Sequence, residues 1–211
     1  MSETSANVAI VTGSTQGLGE AIARNLVAEK RIGGLVICGR NTASGRRLAA
    51  EFAEHGCRTE FVAADLSRVA DCHNVVEVAR RAFDRVDYLV NSAGTSERGS
   101  ILDSSPELFD RIMALNVRAP FFLMQGALRL MIEKKIRGSI VNIISMSSHG
   151  GQPFLTPYST SKGALVTLTK NVANSAIKDR IGVVAFLLSD ESGLISGSII
   201  DFDQNVVRTY S

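Results

Sequence analysis

Tyr158 and Lys162 stand four residues apart in the stretch Tyr158-Ser159-Thr160-Ser161-Lys162. The apolar positions that follow, Ala164, Leu165, Leu168 and Val172, recur at helical spacing, so the stretch reads as a helix with both side chains on one face, about one turn apart. That spacing sets a phenol beside an amine. A free tyrosine titrates near about 10 and is a poor acid or base at neutral pH until a neighbouring cation favours its phenolate. Lys162 can supply that cation, and the pair could then pass a proton to or from a substrate. For an isolated pair the plainer reading is two half-exposed helix residues, so the rest of the chain has to decide.

Around this pair, runs rich in Val and Ile alternate with longer segments of helical period. Residues 7–11, 35–39, 61–64, 88–91 and 139–144 read as strands, and 18–29, 43–55 and 69–83 as helices between them. Near-continuous apolar strands are buried on both faces, which makes the expected fold α/β: a single-domain, doubly wound, Rossmann-like parallel sheet over residues 1–211. Ligands in such sheets bind at the carboxyl ends of the strands.

The first strand runs straight into Val11-Thr12-Gly13-Ser14-Thr15-Gln16-Gly17-Leu18-Gly19 and then into a helix. In that context the glycines allow a pyrophosphate to approach, and the helix amino terminus offers unpaired amides to its charge, so Gly13, Ser14, Gln16, Gly17, Leu18 and Gly19 are cofactor candidates. The second strand ends in Cys38-Gly39-Arg40-Asn41, where an acidic residue would accept from the ribose hydroxyls of NAD. None is present, and Arg40 could pair with a 2′-phosphate, which leans the reading to NADP with NAD possible. The alternative for Arg40 is a solvated loop arginine. Asp65, in Ala64-Asp65-Leu66, could accept from an adenine amino group or act as a helix cap.

Asn91-Ser92-Ala93-Gly94 at the end of the fourth strand, Asn116 in the following helix, Ser145 after the fifth strand, and then Tyr158 and Lys162 complete a pattern. Over residues 5–178 the chain resembles the short-chain dehydrogenase/reductase family, with Ser92 standing where that family usually has a second asparagine. The resemblance implies that Tyr158 exchanges a proton with the substrate oxygen and that Lys162 lowers the phenol's pKa and binds the nicotinamide ribose. It implies further that Ser145, thirteen positions before Tyr158, hydrogen-bonds that oxygen, and that Asn116 holds a water leading from Lys162 to solvent. Asn91, Ala93 and Gly94 join Asn41, Asp65 and Leu66 as cofactor neighbours. Ser147 and Ser148 read as turn residues or as neighbours of the cofactor and substrate. Thr95, Ser96, His149, Gln152 and Phe154 are candidates for the substrate pocket, which would suit a polar alcohol or ketone. A homodimer or homotetramer is implied, packed through the helix at 157–177 and the C-terminal strand.

The 23 basic and 21 acidic residues are spread without a basic run, so nucleic acid is not an expected partner. No apolar stretch reaches membrane-spanning length and the first residues are polar, so the expected compartment is the cytoplasm. Cys38, Cys57 and Cys72 lack the spacing of a zinc site or redox motif, and no metal is expected. His55 and His73 lie in polar helical surroundings and read as solvated.

One part of the family pattern is missing. After the helix with Tyr158 and Lys162 the family has a sixth strand, a Pro-Gly segment clasping the nicotinamide amide, and a loop over the substrate. Here residues 176–181 run directly into 182–190, which resembles the family's last helix, and 198–203 reads as the final strand. The expectation is therefore a sheet without its sixth strand and substrate loop, with a few tens of residues left out between Lys178 and Val183. The preferred explanation is a sequence joined across a mobile loop, and the alternative is a gene product that truly lacks the segment.

Overall fold

The computed structural model describes residues 7–148 and 151–186. β1 (Val8–Thr12) leads into α1 (Gly17–Ala28), followed by β2 (Gly34–Gly39), α2 (Thr42–Glu54), β3 (Arg58–Ala63), α3 (Val69–Phe83) and β4 (Tyr88–Asn91). Next comes a long helical rod made of α4 (Pro106–Met113), a π-helical turn over Ala114–Arg118, and α5 (Ala119–Glu133). β5 (Ser139–Ile143), α6 (Thr156–Ala176) and β6 (Gly182–Phe186) complete the described chain.

The strands form one parallel sheet in the order β3-β2-β1-β4-β5-β6. The order reverses beside β1, which pairs with both β2 and β4, and a ligand crevice forms where the chain turns away in opposite directions. Successive strand residues point to opposite faces and both faces are covered. Ile10, Val36, Leu89 and Ile140 pack with Val75 and Ala79 of α3 and Leu123, Ala127 and Leu130 of α5. Val11, Leu35, Ile37 and Val90 pack with Ala23 and Val27 of α1 and Leu48 and Phe52 of α2. Burying each large aliphatic side chain stabilises by about 1.5–3 kcal/mol, which is why the strands read as unbroken apolar runs.

β3 departs from that rule. It lies at one end of the sheet and is half-exposed along most of its length, with an Arg58–Glu60 ion pair at 3.6 Å and the Arg58 guanidinium 4.9 Å from the Phe83 ring centroid. The sequence places its start at residue 61, three residues late, because charged positions on an edge strand do not look apolar.

The expectation that the sixth strand is missing is corrected. β6 pairs in parallel with β5 over five residues, from Ser139↔Gly182 to Ile143↔Phe186. A short apolar run does not distinguish a buried strand from a buried helix by its period, and the decision lies in the residues before it. Ile177–Asp179 tightens to a 3₁₀ turn, Arg180 adopts φ 57°, and the Ile181 amide donates to the Ala176 carbonyl at 3.3 Å. The Gly182 amide then reaches the Gly138 carbonyl at 3.0 Å and opens the strand pairing. The expected last helix beyond 186 and the strand at 198–203 lie outside the described residues. Among the described residues no helix is long and apolar enough to cross a membrane.

Candidate active site

The turn between β1 and α1 is shaped by close backbone approach. Gly13 has φ +64°, and a Cβ there would meet Ala93 Cα at 2.9 Å. A Cβ at Gly19 would stand 2.5 Å from the Gly13 carbonyl oxygen, so α1 begins directly behind the turn only because no side chain intervenes. Thr12 fastens this turn to the end of β4: its hydroxyl donates to the Val90 carbonyl at 3.3 Å and accepts from the Ser92 and Ala93 amides at 3.0 and 3.1 Å.

Ser14 is fully buried. Its hydroxyl donates to the Val11 carbonyl at 2.7 Å and accepts from the Cys38 amide at 3.0 Å, so it ties β1 to β2. Gln16, at the amino-terminal cap of α1, makes no side-chain bond to the first-turn amides, and nothing stands within 4 Å of a Cβ built at Gly17. Unclaimed amides beneath open space fit a pyrophosphate.

At the next two strand ends the candidates divide. Arg40 and Asp65 are both exposed, and the Asp65 carboxyl is held below its ordinary range first by the Ser67 hydroxyl, with smaller help from the Arg40 and Arg68 charges. Asp65 accepts from the Ser67 amide at 3.1 Å and the Ser67 hydroxyl at 2.8 Å, which makes a local turn; the cap position of α3 belongs to Arg68. Asn41 caps α2, its side chain accepting from the Ser44 amide at 3.0 Å. Leu66 is buried in the core with α3.

On α6 the four-residue spacing does what the helix period requires. Lys162 is 6% exposed, its Nζ lies 5.9 Å from the Tyr158 ring centroid, and it donates to the Ile143 carbonyl at 2.7 Å. Burial pulls the Lys162 ammonium down from its ordinary value to about 8, and the Ile143 carbonyl works against that shift by favouring the charged form. Tyr158 is half-buried. A Cβ at Gly94 would stand 3.7 Å from Lys162 Nζ, which places the end of β4 against the same ammonium.

Asn116 sits in the π-helical turn, where an extra residue rotates its side chain out of the regular helical stripe. Fully buried, it exchanges two bonds with the Thr95 backbone, accepting from the amide and donating to the carbonyl at 2.9 Å each. Its second amide proton goes to Ser161 Oγ at 2.9 Å, and Ser161 in turn donates to the Tyr158 carbonyl at 2.6 Å. Both protons of the Asn116 amide are therefore taken, and with the Thr95 amide on its oxygen one lone pair is left to accept from a water.

Ser145 is 9% exposed at the end of β5. Its hydroxyl lies 3.2 Å from the Ser147 hydroxyl and accepts from the Ser147 amide at 3.2 Å. Ser148 donates to the Ser145 carbonyl at 2.7 Å, as a turn residue would. Behind this layer, Asn91 donates to Asn142 at 2.8 Å, and Asn142 donates to Thr169 of α6 at 2.9 Å. The Asn91 carbonyl oxygen is buried without a partner among the described residues.

Ser161, Asn142 and Thr12 carry no assigned role in the sequence, and Ser147 is named there without its bond to Gln152. Only Asn142 carries a signal there, as an amide inside the apolar run Ile140-Val141-Asn142-Ile143. Two loops meet beside Tyr158: the Gly99 amide donates to the Phe154 carbonyl at 3.0 Å and the Thr156 amide to the Gly99 carbonyl at 2.9 Å. Of the expected pocket residues, Gln152 is half-buried, Ser96 is exposed, and Phe154 is 51% exposed under the Arg98 guanidinium. His149 lies outside the described residues.

The family model described as short chain dehydrogenase matches residues 7–189. The chain is 33% identical over 178 residues to a 2-dehydro-3-deoxy-D-gluconate 5-dehydrogenase of Dickeya dadantii, covering 84% of this chain and 69% of the relative. It is 34% identical over 166 residues to a gluconate 5-dehydrogenase of Gluconobacter oxydans, covering 78% of this chain and 63% of the relative. Among solved structures, a metagenomic short-chain oxidoreductase in complex with NADP superposes with a TM-score of 0.80 at 30% identity, covering 86% of this chain and 81% of that one. An NAD⁺-bound xylitol dehydrogenase gives 0.78 at 28% identity, covering 85% and 68%.

Proposed function

The chain belongs to the short-chain dehydrogenase family, and from that premise we propose that it transfers hydride between NADP(H) and a secondary alcohol or its carbonyl, with Tyr158 as the proton donor and acceptor. The observation that carries the reading is the buried Lys162 ammonium one turn from Tyr158, held by the Ile143 carbonyl. A cation kept in low dielectric favours the phenolate of a nearby tyrosine far more than one in water would. Ser145 polarises the substrate oxygen, and the Asn116–Ser161 bonds hold the backbone around Tyr158. Gly13, Gln16, Gly17, Leu18 and Gly19, with Asn91, Ala93 and Gly94, would hold the dinucleotide, which would supply the hydride. Arg40 at the rim supports NADP over NAD, and Asp65 would accept from the adenine amino group.

Relatives that bear the names of sugar-acid dehydrogenases support a small polar alcohol or ketone as substrate, reached past Ser96, Gln152 and Phe154. The test is NADPH oxidation against a panel of sugars, polyols, hydroxy acids and their carbonyl forms. Tyr158→Phe should remove turnover by about 10²- to 10⁴-fold while leaving NADPH binding nearly intact. Wild-type kcat in that variant would sink the mechanism. Binding of NADPH by the unmodified protein with no turnover of any panel member would favour the rival reading, a catalytically inactive nucleotide-binding or assembly protein.

We also propose that the protein works in the cytoplasm as a homodimer or homotetramer. The chain spans 69% and 63% of the two curated relatives. Native mass measurement on the purified protein reads the assembly: a monomer overturns that proposal.

A further inference from the structure

Ser145 can polarise a carbonyl only if its own proton points at the substrate oxygen, because a carbonyl oxygen accepts and never donates. The groups behind Ser145 decide where that proton goes. Ser147 lies there at 8% exposure, its hydroxyl 3.2 Å from Ser145 Oγ and its amide donating to Ser145 Oγ at 3.2 Å. On its far side the Ser147 hydroxyl donates to Gln152 Oε1 at 3.3 Å. With protons running that way, Ser145 donates to Ser147 and Ser147 to Gln152, and Ser145 has only a lone pair to offer a substrate.

A half-turn of the Gln152 amide about its terminal torsion puts Nε2 where Oε1 stands. Gln152 then donates to Ser147, which frees the single Ser147 proton to turn to Ser145; in that arrangement the Ser147 hydroxyl and amide fill both lone pairs of Ser145. The Ser145 proton is left with one direction, outward. Each bond in such a row polarises the next, so the outward donor is strengthened as well as aimed.

We propose that Ser147 and Gln152 are positioning residues that aim the Ser145 proton at the substrate carbonyl, with the Gln152 amide setting the direction of the row. The inference deepens the reading of Ser145 and Tyr158 given above and rests on it. It gives Gln152 a role in turnover, beyond lining the pocket, and takes Ser147 out of the class of turn residues.

Gln152→Glu separates this role from a structural one. The glutamate keeps the shape and keeps an acceptor for Ser147, but has no donor. If Gln152 only props the loop by accepting from Ser147, Gln152→Glu reduces carbonyls with wild-type kcat at neutral pH. The relay requires kcat to fall roughly tenfold or more, toward the loss seen when one donor to a developing oxyanion is removed, with NADPH affinity unchanged. Ser147→Ala should fall alike, and Ser147→Thr, which keeps the hydroxyl, should recover most of the activity. The double variant should be no worse than Ser147→Ala alone, because both changes cut one row. Wild-type kcat in Gln152→Glu, or additive losses in the double variant, would overturn the relay and leave the Tyr158 reading standing. Failure of the unmodified protein to turn over any carbonyl would overturn that reading itself.

Discussion

The β1–β3 side of the sheet and the β4–β6 side prepare their strand ends by different means. Among the described residues the buried polar groups before Asp87 are Thr12, Ser14 and Thr15, and the bonds of Thr12 and Ser14 run to backbone. From Asp87 onward come Asn91, Asn116, Asn142, Ser145, Ser147, Ser161, Lys162 and Thr169, bonded largely to one another. The first side works by leaving atoms out and presenting bare backbone to a ligand. The second works by the identity of side chains held in place by other side chains. A change that adds an atom should therefore damage the first side, and a change that removes a functional group should damage the second.

The largest contrast is expected at Lys162. Lys162→Met should lower turnover by about 10²- to 10⁴-fold, as for a lost acid-base component. The same change relieves a buried ammonium whose pKa is pulled to about 8, which is worth up to about 3 kcal/mol, less whatever the unpaired Ile143 carbonyl then loses. Because the folded-state value lies below the unfolded one, the penalty is full below about pH 8 and fades as the pH rises toward the unfolded value. Denaturant titrations should thus find Lys162→Met more stable than the parent at pH 7, with a difference that shrinks by pH 10. A less stable variant at pH 7 would contradict the burial argument.

Gly19→Ala tests the other side and removes no functional group. Its methyl would meet the Gly13 carbonyl oxygen at 2.5 Å, so the turn must shift. NADPH affinity should fall roughly a hundredfold, equivalent to about 3 kcal/mol. Unchanged affinity by fluorescence titration would break the comparison.

Arg40 sharpens it, as the side chain on the first side whose identity is expected to count. Arg40→Asp should weaken NADP binding about tenfold while leaving NAD within a few-fold, since only NADP carries the 2′-phosphate. Equal effects on both would remove Arg40 from the cofactor.

The same division explains what could be read from the sequence. The glycine turn, the alternation of strands and helices, and the Tyr158–Lys162 pair were legible because each depends on local spacing. Ser161 and Ser147 were not, because their meaning comes from Asn116 and Gln152, which reach them only after the chain has folded. Leu66 and Asn41 are cofactor candidates in the sequence, and the fold places the Leu66 side chain in the core and uses the Asn41 side chain as a helix cap. β6 was misread because Val183 and its neighbours suit either secondary structure, and the helix stop at Arg180 depends on a left-handed backbone that arginine composition does not announce.

The charged edge strand β3 has a consequence for how molecules of this protein meet. An end strand offers a free ladder of amides and carbonyls to any other extended chain, and arginine and glutamate there make continuation of the sheet unfavourable. With the Arg58–Glu60 pair and the guanidinium laid over Phe83, the β3 end is a terminus of sheet growth. Copies of this chain that associate will therefore do so elsewhere, and at high concentration the β3 edge protects against runaway strand-to-strand stacking.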